Sequence, residues 1–353
     1  MDLRGRMLSR FVFSVILISL LFAAGTQADP VPRKVGIITA LTGPMAVYGT
    51  AVRNGAVLAD EEKDKAERFE FLVEDDQFDV KNSVSIAKKF LAVNRVSALI
   101  VFGSGNSMAV APLAEQARVP MIALATLPEI TAGREFVLRH FASPLVENEA
   151  VVAEVKRLGY RTVAIVSSFQ DAMLALRDQF MQGFDGRILF SEEVHPAERE
   201  FRTIASRIAS LGPEAVYLPV VPGQVGVLAS QIRGAGFKGD FFGVHGHEDP
   251  GELKTARGAL ENSWFVSINV IRDSAYLQRY VKRFGSEPAT GAANSYDVAS
   301  MLISCGERGP LMACLRNQGR ILGVMGEYEL KSDGSFDVPV QLKRIAGGRV
   351  TDY

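Results

Sequence analysis

Residues 96–126 read VSALIVFGSGNSMAVAPLAEQARVPMIALAT, and this stretch decides the fold. Ala98–Phe102 is a buried strand, and Gly103-Ser104-Gly105-Asn106-Ser107 is a turn of small residues. A helical pattern then runs to about Arg118, and Met121–Ala125 is a second strand. Together they make one βαβ unit. The first turn sets small hydroxyl residues and free backbone N–H groups at a helix N-terminus, where the helix dipole favours an anion. The second strand ends on another hydroxyl, Thr126. Both places lie at the carboxyl ends of strands, where parallel α/β sheets bind ligands. The unit is therefore expected to hold a small anionic group between Ser104 and Thr126.

Outward from this unit the same cadence repeats. Strands are expected at Lys34–Ala40, Phe69–Glu74 and Phe136–Phe141, with a helix over residues 49–65 and another capped by Asp79 or Asn82. From Glu147 onward the alternation restarts, with strands at Thr162–Ser167, Arg187–Val194, Ala215–Pro219 and Asp240–Val244. Helices of 10–15 residues between strands imply parallel sheets covered on both faces, and the restart implies two similar lobes. The tail, Gly326–Leu330 and Val338–Ile345 about the turn Ser332-Asp333-Gly334, reads as a β-hairpin.

The chain has 353 residues, 48% of them hydrophobic and 22% charged, which is a globular composition with room for two domains. A net charge of −1 without a long basic run beyond the N-terminus argues against nucleic acid as a partner. Arg4, Arg6 and Arg10 precede an apolar run from Phe11 to Ala24, the layout of a signal peptide cleaved after Ala28. The expected product is soluble, exported and monomeric. In an oxidising compartment the pair Cys305 and Cys314 favours a disulfide, because a tight turn joins the two helices that carry them.

No nucleophile elbow, His-Glu-x-x-His or phosphate loop is present, so no enzyme and no cofactor are expected. His245 and His247 flank Gly246 but lack a nearby third ligand, so no metal site is assigned to them. Asp75-Asp76 reads as structural, and Asp297 as a helix cap that borders the cleft or stands outside it.

Several stretches together carry a family resemblance: TALTGPMAVYG (39–49), the 103–126 segment, ITAGREFVLR (130–139), KRLGYRTVAIVSS (156–168), ANSYDVASML (293–302) and GEYELKSDGS (326–335). The chain resembles the periplasmic leucine/isoleucine/valine-binding proteins, the substrate-binding components of ABC importers. The resemblance implies an α/β fold of two Rossmann-like lobes joined by three crossovers, near Phe141–Pro144, Val266–Ile271 and Gly323–Glu327. Lobe one would comprise residues 29–142 and 270–325, and lobe two residues 143–269 and 326–353. The implied partners are a small solute with an anionic end and an inner-membrane ABC permease. A non-transport periplasmic sensor or an activator of cell-wall synthases is the alternative that the same fold leaves open.

The family's carboxylate-holding positions match Gly103/Ser104 and Thr126, and its lobe-one loop tyrosine matches Tyr48. The ammonium-holding positions are not matched. The family's carboxylate falls at His245, and its lobe-two tyrosines fall at about Ala172 and Val221. Glu248 or Asp249 is one candidate replacement, and a wall rebuilt from Phe169, Gln170 and Asp171 is another. The expected ligand thus has an anionic end and need not be a branched-chain amino acid.

Overall fold

Short apolar segments form the centre of both halves of the chain. The computed structural model describes residues 33–63, 69–268, 270–306, 310–336 and 338–353, so the expected leader lies outside the described residues. The chain alternates β1 (Lys34–Thr39), α1 (Ala46–Glu61), β2 (Glu70–Asp75), α2 (Val80–Lys89), β3 (Ala98–Phe102), α3 (Ser104–Ala117), β4 (Met121–Leu124) and β5 (Val137–His140). It resumes with α4 (Pro144–Leu158), β6 (Thr162–Ser168), α5 (Asp171–Gly183), β7 (Arg187–Val194), α6 (Arg202–Leu211) and β8 (Ala215–Leu218). Then come α7 (Val225–Gly234), β9 (Asp240–Gly243), α8 (Pro250–Ala256) and β10 (Trp264–Ser267). The last part holds α9 (Ser274–Phe284), α10 (Ala292–Gly306) and α11 (Leu311–Arg316). It ends in β11 (Arg320–Gly323), β12 (Gly326–Glu329), β13 (Ser335–Phe336), β14 (Gln341–Ala346) and β15 (Arg349–Asp352).

Two sheets result. One has the order β13-β5-β4-β3-β1-β2, the other β15-β14-β10-β9-β8-β6-β7. Their parallel centres share one winding, since β3 and β8 lie beside the first strands β1 and β6. Every residue of β3, β4 and β8 is buried, as strands covered on both faces require. Each fully buried Val, Leu or Ile there contributes about 1.5–3 kcal/mol. The chain passes from the first sheet to the second after β5 and leaves the second after β10.

The tail differs from its sequence reading. Gly326–Glu329 pairs with Arg320–Gly323, and the terminal hairpin is instead Gln341–Ala346 with Arg349–Asp352. Ser335–Phe336 adds in parallel to β5, so the third passage between sheets falls after Phe336 rather than near Gly323–Glu327. Phe336 is fully buried against His140, with ring centroids 5.4 Å apart, and this burial draws the segment to the first sheet.

Asp297 does not cap a helix. The helix begins at Ala292, and the Asp297 carboxylate accepts from Val324 N and the Tyr328 hydroxyl, both at 2.8 Å, tying α10 to the tail. The Cys305–Cys314 disulfide is formed, with Cα atoms 5.6 Å apart, and it joins α10 to α11. Among the described residues no helix is long and apolar enough to cross a membrane.

Candidate functional site

The carboxyl ends of the strands of both sheets face one cavity of about 60 Å³. Ser104 and Thr126 come from the ends of β3 and β4, and Tyr48 from the helix after β1. Gln170, Val221 and His245 follow β6, β8 and β9. The site is thus where the winding of each sheet reverses direction.

The end of β3 is shaped by backbone geometry. Gly103 has φ +97°, a conformation that favours glycine, and an added Cβ would stand 2.5 Å from the Phe78 ring. That kink turns the chain from β3 directly into α3, so the expected turn residues form the helix's first turn. No side chain caps this N-terminus. Ser104 is buried at its first position, and its hydroxyl accepts from Thr126 N at 3.2 Å. Arg139 fixes the adjoining wall by donating to Ala125 O at 3.4 Å and Phe141 O at 2.5 Å.

Asp75 and Asp76 are structural, and they position a cavity residue that sequence reasoning missed. Gln77 and Phe78 both have positive φ, and their N–H groups donate to Asp75 and Asp76 Oδ1 at 2.9 Å. Asp76 also accepts from Ser83 at 2.7 Å and Asn106 at 3.0 Å, which anchors the turn to α2 and α3. The turn sets Phe78 against Phe102 on the cavity wall, with centroids 6.1 Å apart. The Asp-Asp-x-Phe pattern of a side-chain-capped turn is the signal that was available for it.

The opposite wall is mainly apolar: Ala172, Met173, Val220, Val221 and Pro222. Ser168 supports it by accepting from Val221 N at 2.9 Å. Gln170 lines the cavity, but its side-chain oxygen caps α5 by accepting from Met173 N at 3.2 Å. Phe169 does not reach this cavity. It is 62% exposed and borders a wider outer groove with Pro44, His195 and Pro196, because the chain turns outward before α5.

Both candidate acids are engaged away from the cavity lining. Glu248 accepts from Thr290 Oγ1 at 2.5 Å and Ser267 Oγ at 3.0 Å and pairs with Lys343 at 3.2 Å. Asp249 caps α8 by accepting from Gly251 N at 2.6 Å. Among the described residues no carboxylate lines the cavity. His245 faces it and stands edge-on to Tyr48 and to Phe141, each with centroids 6.2 Å away. Burial lowers the His245 pKa, with Glu248 pulling the other way, so the ring is neutral near pH 7. His247 instead stacks on Phe265 in the core, and burial lowers its pKa to about 4.

A sequence model described as periplasmic binding protein matches residues 32–342. The Leu/Ile/Val-binding protein homolog 3 of Brucella melitensis biotype 1 is 27% identical over 236 residues, covering 64% of this chain and 63% of that protein. The matched region is thus under two thirds of that relative's length. Among solved structures, LivJ of Streptococcus pneumoniae in complex with isoleucine superposes with a TM-score of 0.84 at 22% identity, covering 91% of this chain and 98% of that one. A solute binding protein from R. palustris in complex with benzoate gives 0.80 at 19% identity, covering 91% and 95%. These two likenesses show the fold.

Proposed function

The chain belongs to the periplasmic binding protein family, and from that premise we propose that it is the solute-binding component of an ABC importer, taking a small carboxylate with an apolar body. The lobes would divide at the three passages between the sheets and close on the ligand by a hinge. One observation carries the ligand class: the cavity joins an uncapped helix N-terminus with two hydroxyls to an apolar wall that holds no carboxylate. An amino-acid ammonium buried there would lack a counter-charge, which is costly. Relatives named for leucine, isoleucine and valine and a neighbour bound to benzoate bracket the choice, and the apolar wall favours the benzoate-like end. Export to the periplasm and delivery to an inner-membrane permease belong to the same reading.

Calorimetric titration with 3-methylbutanoate, benzoate, leucine and phenylalanine tests this reading. The simple carboxylates should bind at least about tenfold tighter than the amino acids, and Ser104→Ala should weaken them about 10- to 100-fold, as loss of a hydrogen bond to a charged group does. Leucine bound as tightly as 3-methylbutanoate would overturn it.

A further inference from the structure

Buried polar side chains in folded proteins generally have partners, so those without one are informative. Of the buried side-chain atoms lacking a hydrogen-bond partner among the described residues, two belong to the cavity wall: the Tyr48 hydroxyl and His245 Nδ1. Tyr48 is only 2% exposed. The two rings meet edge to face with centroids 6.2 Å apart, so the two residues stand side by side on the cavity wall. Phe102 and Phe141 flank the pair and keep its surroundings apolar.

Both groups are uncharged. Burial raises the Tyr48 hydroxyl well above its ordinary value, and the charges of Asp249, Glu248 and Glu252 add to this. Burial likewise holds the His245 imidazole neutral. A phenol and a neutral imidazole offer a donor and an acceptor without net charge, which suits an alcohol, phenol or carbonyl oxygen. Neither ring offers an ammonium or a second carboxylate a direct ionic partner.

We propose that Tyr48 and His245 form a second polar pole that recognises an uncharged oxygen on the ligand, making the preferred solutes hydroxy- or oxo-substituted apolar carboxylates. This rests on the reading that Ser104 and Thr126 take the carboxylate. Tyr48 belongs to the helix after β1 and His245 to the loop after β9, so a ligand oxygen held by both joins the two sheets' halves. Recognition of that oxygen is therefore coupled to closure of the cleft. A site built to bond a hydroxyl discriminates strongly against the analogue lacking it, because its own buried polar groups are then left unpaired.

The test is calorimetric titration of matched pairs: benzoate against its three monohydroxy isomers, and 3-methylbutanoate against its 2- and 3-hydroxy forms. At least one hydroxylated member should bind about tenfold or more tighter than its parent. In Tyr48→Phe and in His245→Leu that ratio should fall to within about twofold of one. In Ser104→Ala both members of the pair should weaken together, leaving the ratio intact. Thermal unfolding of Tyr48→Phe should match the unsubstituted protein, whereas a structural role for the hydroxyl would lower the midpoint. No gain from any hydroxyl, or a gain that survives in both variants, overturns the second pole while leaving the carboxylate reading standing. Absence of binding by every carboxylate overturns both.

Discussion

The two walls of the cavity obtain their polarity by different means. The wall from the first sheet is polar because of how its backbone runs: a glycine kink, an uncapped fourteen-residue helix and a hydroxyl at its first position. The wall from the second sheet takes its character from single side chains: Val221, whose backbone N–H is tied to Ser168, and His245, whose Nδ1 has no partner among the described residues. On the proposed reading the first wall would specify a charge class, and the second most of what the rest of the ligand must be. One substitution can respecify the second wall, whereas removing the kink that shapes the first means disturbing the fold.

The largest effect that would break this contrast is expected at Gly103. Gly103→Val places a branched side chain at φ +97° and against Phe78, costing roughly 2–4 kcal/mol in strain and overpacking. Denaturant unfolding should register the loss, and carboxylate binding should disappear with it. Retained binding would show that the anionic pole does not depend on the kink. A smaller and more selective effect is expected at the other wall. His245→Glu supplies the missing carboxylate and should shift preference from 3-methylbutanoate toward leucine by ~2 kcal/mol, or about thirtyfold, in competition titrations.

The smallest effect concerns pH. The helix N-terminus does not titrate, the Tyr48 pKa is raised above 10.0 and that of His245 is lowered below 6.5. Affinity for benzoate should therefore be flat between about pH 6.5 and 8. Stability should not be flat. Glu147 is fully buried on α4, where burial pushes its carboxyl up to about 8 from 4.5, although Arg139 pulls it down. The folded chain then holds a proton that the unfolded chain has released, so stability falls as pH rises between those values. Glu147→Gln should remove that slope in unfolding curves recorded from pH 5 to 8.

Much of the fold was legible because buried parallel strands leave runs such as ALIVF and MIAL, and Asp79 does cap its helix as its position suggested. The tail was not legible. GEYELKSDGS alternates in a way that fits several partners, and only the burial of Phe336 beside His140 selects one. In the site, Gly103-Ser104 was visible as a small-residue turn after a buried strand. Phe169 was misplaced because a strand-to-helix loop does not reveal which of its residues turns inward. That Tyr48 and His245 each carry an unpartnered polar atom could not be seen either, since partnerlessness exists only once every neighbour has a position.

Glu248 has a consequence for motion. Its carboxylate takes two bonds from its own sheet's side, Ser267 and Lys343, and one from Thr290, which precedes the helix packed on α1. Parting the walls would release only the Thr290 bond and leave the charge compensated, so separation exposes no orphaned ion. A single hydrogen bond to a charged group contributes about 1.5–3 kcal/mol, which alone would leave an open form at roughly one to ten per cent. On the proposed closure the link would act as a weak clasp, biasing the ensemble without locking it.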